Sequence, residues 1–139
     1  MALNTPDVGD VRLLTYALST NKPANLYLRL YENDYTVVDG SVIANFTELT
    51  MAGYAEGTLA AANWSVATVG NVTTATYTPS AAETTFTMTA DAVHNVYGYY
   101  VVDKTGSEQV LWAERFSDAP HIIPAAGAVQ TVTVKITAD

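Results

Sequence analysis

Two runs of sequence decide the fold: VYGYYVV at residues 96–102 and VLWAERF at residues 110–116. Both runs are rich in β-branched and aromatic residues, which favour strands. The segment DKTGS at residues 103–107 lies between them and consists of turn residues. This arrangement predicts a β-hairpin at the centre of a sheet. Gly98 is costly inside a strand unless another group packs close to it, so we expect a close neighbour there.

The composition indicates one domain with a surface of low charge. The chain has 139 residues, of which 49% are hydrophobic and 14% are charged. Soluble domains average about 25% charged residues, so Thr, Ser, Asn and Tyr must cover much of this surface. Such a surface suits a protein that packs against other proteins, although a threonine-rich sheet exterior explains the same composition.

The charge pattern argues against two classes of partner. The formal net charge is −8, and the six basic residues are scattered along the chain. No basic run could follow a phosphate backbone, so we expect no direct nucleic-acid binding and no attraction to an anionic membrane surface. No apolar run approaches the roughly 18 residues that span a bilayer. The absence of cysteine excludes disulfides and thiolate chemistry.

Hydrophobic alternation predicts most of the remaining structure. In residues 25–31 the side chains should alternate between two faces. The core-facing side chains are Leu26, Leu28 and Leu30, and the opposite ones are Tyr27, Arg29 and Tyr31. Residues 84–89 and 129–137 alternate in the same way, the latter with Val132, Val134 and Ile136 inward. Shorter strands are predicted at 46–50, 58–65 and 73–77, and Trp64 and Phe86 are expected in the core.

These patterns predict an all-β fold. We expect an antiparallel β-sandwich, jelly-roll or Ig-like, of about seven or eight strands. Residues 5–20 have helical spacing, weakened by Gly9, and should lie over one end of the sheet or dock on a neighbouring molecule. The expected division is an N-terminal arm or short helix at 1–22 and one sandwich domain at 23–139.

Few residues offer chemistry. Glu114 follows Trp112 on one strand face, which suggests a carboxylate of raised pKa or part of a sugar platform. Alternatively, Glu114 pairs with a cation while Trp112 fills the core. His94 and His121 are expected to be surface or loop-packing residues, since a zinc site needs several converging ligands. We therefore expect no catalytic residue, no cofactor and no metal.

Two further sets of residues have weaker functional interpretations. Glu32, Asp34 and Asp39 could form a loop calcium site, but their spacing matches no EF-hand and a solvated turn is favoured. Tyr27, Arg29 and Tyr31 combine the residue types enriched at interface hot spots. They are the predicted interface, unless a second sheet layer or the N-terminal helix covers that face.

A set of phrases in fixed order resembles a known group of proteins. The phrases are NLYLRLYEN at 25–33, FTE at 46–48, GYA at 53–55, FTMT at 86–89, YGYYV at 97–101 and LWAERF at 111–116. The chain resembles, over most of its length from residue 8, small virion proteins of tailed bacteriophages. The resemblance implies a virion component made in the bacterial cytoplasm, and it supplies no catalytic residues.

The expected function is therefore structural. We expect a non-enzymatic capsid decoration or cement protein that binds the major capsid protein or other virion proteins across capsomers and forms a homo-oligomer on the particle. A tail or fibre component is the alternative within this class. From other classes, a carbohydrate-binding module would use exposed Tyr and Trp to bind host glycan, and a hydrolase would act through Glu114.

Overall fold

Antiparallel sheets are the main secondary structure of the described residues, as predicted for an all-β sandwich. The structure is a computed structural model that describes residues 6–18, 23–69, 72–78, 84–89, 92–124 and 128–138. The helix is α1 (Asp7–Leu18). The strands within these ranges are β1 (Asn25–Tyr31), β2 (Gly57–Ala60), β3 (Trp64–Val69), β4 (Val72–Tyr77), β5 (Thr85–Thr87), β6 (His94–Val96), β7 (Gly98–Asp103), β8 (Gln109–Arg115), β9 (His121–Ile123), β10 (Val129–Thr131) and β11 (Lys135–Ala138).

The strands of the described ranges form four sheets. The largest has the order β2-β1-β7-β8, and a three-stranded sheet has the order β11-β4-β3. Two strand pairs, β10-β5 and β6-β9, complete the fold, and every pairing is antiparallel. The predicted hairpin is confirmed as β7 and β8, which pair from Gly98 with Arg115 to Asp103 with Gln109, but β8 lies at the end of the four-stranded sheet and not at its centre.

Both faces of the four-stranded sheet are buried. One face contributes Leu28, Leu30, Val101 and Trp112 to the main core. Side chains from β1, β7 and β8 also point to the other face, where the loop that follows β1 covers them with aromatic and aliphatic groups. Strands that are buried on both faces have near-continuous apolar sequences. This explains the composition of β7 and β8.

Helix α1 lies against β8, the last strand of the four-stranded sheet. The pairing of β7 with β8 shifts between Val101 and Val102, and Leu111 is left as an extra residue, which makes a β-bulge. A Cβ atom on Gly9 would collide with the backbone of Leu111. Gly9 disfavours a helix by its residue type, but the close approach of α1 to β8 requires it. Of the two predicted positions for this helix, the structure supports the one over the sheet.

The side chain of Asp103 bonds helix α1 to the β7–β8 hairpin. The prediction of Asp103 as a turn residue is wrong. This residue ends β7 and is 0% exposed. Its carboxylate accepts a hydrogen bond from the Tyr16 hydroxyl and one of 2.7 Å from the backbone nitrogen of Thr105. Arg12 Nε lies 3.0 Å from Asp103 Oδ2. A buried carboxylate needs such partners because unpaired burial costs several kcal/mol.

The prediction of one continuous strand at 129–137 is wrong, but the predicted inward and outward directions of its side chains are confirmed. The chain forms β10 and β11 here, in two different sheets. Val132 and Val134 are buried between them, and Thr133 and Lys135 are exposed. The Val132 N–H donates to the carbonyl of Thr84, and the Val134 carbonyl accepts from Tyr77 N–H, so the connecting residues belong to neither ladder.

Two smaller expectations are also corrected. Residues 46–50 form no strand, because the described pairing of this segment is a single isolated bridge between Tyr31 and Glu48. Trp64 packs against the core but is only half-buried, with its ring edge-on to Trp112 at a centroid distance of 6.0 Å. The described residues include no helix long and apolar enough to cross a membrane.

Phe86 is confirmed as a core residue, and its truncation provides a test of the fold. It is 5% exposed, and its ring lies 5.5 Å from that of Tyr54. We expect Phe86→Ala to lower the free energy of unfolding by about 3–5 kcal/mol in urea denaturation. Val129→Ala is the control, because this side chain is 57% exposed on the paired strand. A loss below about 1 kcal/mol for Phe86→Ala would contradict the packing.

Candidate binding site

The predicted interface on β1 is largely occupied by contacts within the chain. Arg29 Nε lies 2.8 Å from Glu56 Oε2 and 3.4 Å from Glu48 Oε2. Its Nη2 lies 2.6 Å from Glu108 Oε1. The Arg29 side chain is only 12% exposed. The guanidinium therefore joins three segments of the chain, which is a structural use of a residue predicted to contact a partner.

Tyr27 and Lys104 extend the same cluster. The Lys104 ammonium lies 4.2 Å from the centroid of the Tyr27 ring and pairs with Glu56. Burial raises the pKa of Glu56, but hydrogen bonds from Lys104 and Arg29 outweigh burial and hold that pKa below its usual value. Tyr27 and Arg29 remain a predicted interface on this evidence.

Tyr31 cannot be a surface contact, and its prediction is corrected. It lies opposite Leu28 and Leu30, as the alternation requires, but it is 0% exposed. Its ring packs edge-on against Phe46 at 5.2 Å and lies 6.4 Å from the ring of Tyr100. The cover is the loop after β1, and it is neither the second sheet layer nor the N-terminal helix that the sequence left as alternatives. The Tyr31 ring also fills the space beside Gly98, which confirms the expected close neighbour.

Glu114 and Trp112 separate in role. Trp112 is 0% exposed and belongs to the main core, so it provides no sugar platform. Glu114 is 9% exposed, and its Oε2 accepts a hydrogen bond of 2.6 Å from the Tyr99 hydroxyl. The partner of Glu114 is thus the Tyr99 hydroxyl and not the cation that was the alternative prediction. Burial and the Glu114 carboxylate both raise the pKa of Tyr99, so the hydroxyl keeps its proton and remains a donor.

An open cavity of about 330 Å³ lies beside Glu114. Residues of β8, β9, β10, β11 and their connections line it, including Phe116, His121, Gln130 and Lys135. The described pairings place these four strands in four different sheets. No sequence pattern pointed to this cavity, because its lining residues are far apart in the chain.

His121 forms one wall of the cavity. Its Nε2 lies 2.7 Å from Asp118 Oδ1, and its Nδ1 lies 3.1 Å from Gln130 Oε1. The ring stacks on Phe116 with a centroid distance of 4.3 Å and an interplanar angle of 13°. The hydrogen bond from His121 holds the pKa of Asp118 below its usual value. His121 is therefore a packed residue, as expected, but one that faces a concave site.

The other polar residues singled out in the sequence are dispersed. His94 Nδ1 lies 3.0 Å from Glu32 Oε2, and Asp34 pairs with Arg115 at 2.8 Å. The carbonyl of Asp39 accepts a hydrogen bond from the Asp7 N–H. The described part of the chain contains no group of three or more acidic, histidine or cysteine residues placed to hold a metal ion.

The feature that sequence reasoning missed is the edge of the three-stranded sheet. β3 ends this sheet, and within the described ranges no strand pairs with its outer side. Residues 65–69 are all exposed, and Val66 and Val69 are 68% and 81% exposed. One signal was present: residues 57–82 contain no Asp, Glu, Lys or Arg.

Natural proteins usually protect such an edge. Lysine, proline, a bulge or a covering loop prevents pairing with another chain. β3 has the sequence WSVATV and carries none of the protective residue types. A sheet edge that no described strand pairs with, and that carries two exposed valines, can add a strand from a partner.

Comparison with known proteins finds no matching family model, and no curated protein or solved structure with significant similarity to the chain.

Proposed function

We propose that this protein is a non-enzymatic structural component of a tailed-bacteriophage virion, a capsid decoration protein that binds the major capsid protein through the β3 edge. The observation that carries the proposal is the exposed, uncharged edge strand. The resemblance of the ordered sequence phrases to phage virion proteins supports the virion, and the low fraction of charged residues supports a protein made to pack against others.

Strand addition explains how this edge binds. A partner strand satisfies the unpaired N–H and C=O groups of β3, and alternate side chains of β3 contact the partner on each face of the joined sheet. Val66 lies on one face and Val69 on the other. Because no charged group must be desolvated along β3, the partner segment is an extended and uncharged one.

The charge of the whole chain favours a different partner over a second copy. The net charge of −8 opposes the association of two free molecules. On a capsid, each copy meets a surface of another protein, and repetition over a lattice multiplies modest contacts into a large avidity. The protein then resists separation of capsomers without needing tight binding at any one site.

Charged substitutions on β3 test the proposal. We expect Val66→Lys with Val69→Lys to reduce the number of copies bound to heads that lack this protein by about 10-fold or more, because lysine on an edge blocks strand pairing. Thermal unfolding of the free protein should not change, since both side chains are exposed. Co-sedimentation with purified heads and mass spectrometry of the pellet measure the occupancy.

The matched control is Ile122→Lys with Val129→Lys. These side chains are 64% and 57% exposed on other strands, so this variant adds the same charge elsewhere. It should bind heads like the unmodified protein. Full occupancy of the β3 variant contradicts the proposal. So does binding to isolated tails instead of heads, or a free dimer that the β3 substitutions dissociate.

A further inference from the structure

The cavity beside Glu114 plays no part in docking through β3. It holds about 330 Å³, and pockets near this size at the lower end of the ligand-binding range accept small molecules. Its lining combines a nearly buried carboxylate with hydroxyl, amide and ammonium groups and one aromatic wall. We infer that this cavity binds a neutral saccharide of one or two rings.

The nearly buried carboxylate is the first argument. Glu114 is 9% exposed, and a carboxylate in such a position costs free energy unless it is hydrogen-bonded. The Tyr99 bond to Oε2 uses one of about four acceptor sites of the group. The remaining acceptor capacity of Glu114 adjoins the cavity, where hydroxyl groups of a ligand can donate to it.

The balance of charge selects a neutral ligand. Glu114 and Asp118 are acidic, and Lys135 and His121 are the basic residues of the same lining. Neither sign dominates, so there is no strong attraction for an anion or a cation. Thr131 and Thr133 add hydroxyls that both donate and accept. A saccharide hydroxyl has the same double capacity, so a sugar ring satisfies this mixture better than a carboxylate or an amine does.

The aromatic wall supplies the apolar contact that a sugar ring also needs. Phe116 and His121 stack nearly parallel, so the pair presents a rigid flat surface, and both residues are half-exposed. The axial C–H groups on a face of a pyranose ring pack against such a surface. The hydrogen bonds of His121 to Asp118 and Gln130 fix the ring before a ligand arrives, which lowers the entropy lost on binding.

Protein-observed NMR titration with D-glucose, D-galactose, D-mannose and N-acetylglucosamine tests the inference. We expect at least one of the four to give saturable shifts confined to residues 114–121 and 130–135. The dissociation constant should be about 1–10 mM, as is usual for a ligand of this size that makes few contacts. Inorganic phosphate at the same concentrations should leave these resonances in place.

Three variants assign the binding to the cavity. Glu114→Gln keeps the shape and removes the charged acceptor, so affinity should fall by about 10-fold. Thr133→Val replaces an exposed hydroxyl that folding does not need, and affinity should fall by about 3-fold to 5-fold. Glu108→Gln makes the same chemical change as the first variant but lies in the Arg29 cluster, and it should bind the sugar unchanged.

Two results would overturn the inference. One is the absence of shifts at about 50 mM of every sugar, well above the expected range. The other is a response to phosphate at lower concentration than to any sugar, which would make the cavity an anion site built on His121 and Lys135. Since the titration uses the isolated protein, its failure leaves the head-binding experiment on β3 unaffected.

Discussion

Gly98→Ala is expected to lower the free energy of unfolding by roughly 3 kcal/mol or more. A Cβ atom at this position would lie 2.7 Å from the Tyr31 hydroxyl oxygen and 2.8 Å from Tyr31 Cε1, and closer still to the backbone oxygen of Glu114. Real side chains do not tolerate such contacts. The Tyr31 ring cannot retreat, because Phe46 and Tyr100 pack against it. Strands β7 and β8 must therefore separate, and the Tyr31 ring must leave its position.

Gly40→Ala is the matched control for this substitution. A Cβ on Gly40 meets no atom within 4 Å, and this glycine has no positive φ angle. The change should therefore be neutral or stabilise the protein by up to about 1 kcal/mol through the unfolded state. Urea unfolding of both variants gives the comparison. Equal stabilities for the two variants would show that Gly98 is not confined by its neighbours.

Asp103→Asn is expected to cost roughly 2–3 kcal/mol at neutral pH and to loosen α1. The substitution removes the charge that faces Arg12 and replaces one acceptor oxygen near Tyr16 and Thr105 with a donor. Amide hydrogen exchange should rise across residues 7–18 more than across the sheets. Urea unfolding measures the total loss, and exchange locates it.

The same substitution has a defined pH dependence. Burial raises the pKa of Asp103, but the bonds from Tyr16 and Thr105 and the charge of Arg12 outweigh burial and leave that pKa below its usual value. A lowered pKa in the folded state stabilises the protein above the unfolded value of about 3.9, and this contribution is lost as the pH falls below it. The stability difference between the two proteins should therefore shrink between pH 5 and pH 2.

A control separates this effect from general loss of charge. Asp39 is exposed in the loop after β1, and Asp39→Asn should change stability by less than about 0.5 kcal/mol at any pH in this range. The anchoring role of Asp103 would be wrong if Asp103→Asn left the exchange of α1 unchanged. A constant difference between the proteins from pH 5 to pH 2 would refute the titration argument.

Side-chain alternation predicted which way residues point, and it succeeded where one face was apolar. Leu28, Leu30 and Phe86 are buried as expected. Alternation did not predict what covers the other face, so Tyr31 was assigned to the surface. The cover comes from a loop whose polar residues give no periodic signal. A period-two pattern shows on which face of the sheet each side chain lies. What packs against that face depends on contacts with residues distant in sequence.

The remaining failures have the same cause. Asp103 belongs to a group of turn residues by type, yet its burial depends on Arg12 and Tyr16, about 90 residues earlier in the chain. The cavity beside Glu114 combines strands from separate parts of the sequence. The free edge of β3 depends on sheet order, which local pattern does not contain. Only the uncharged stretch at 57–82 hinted at it.

The split of the C-terminal run into β10 and β11 gives the molecule a path for mechanical load. A pull on β3 passes through the ladders of β4 to β11, and from β11 along the covalent chain to β10 and its partner β5. The link between them, at residues 132–134, is held by backbone hydrogen bonds to Thr84 and Tyr77. Tension applied at the exposed edge is thus transmitted through the backbone hydrogen bonds of two sheets and a covalent connection, and no single side-chain contact has to carry it.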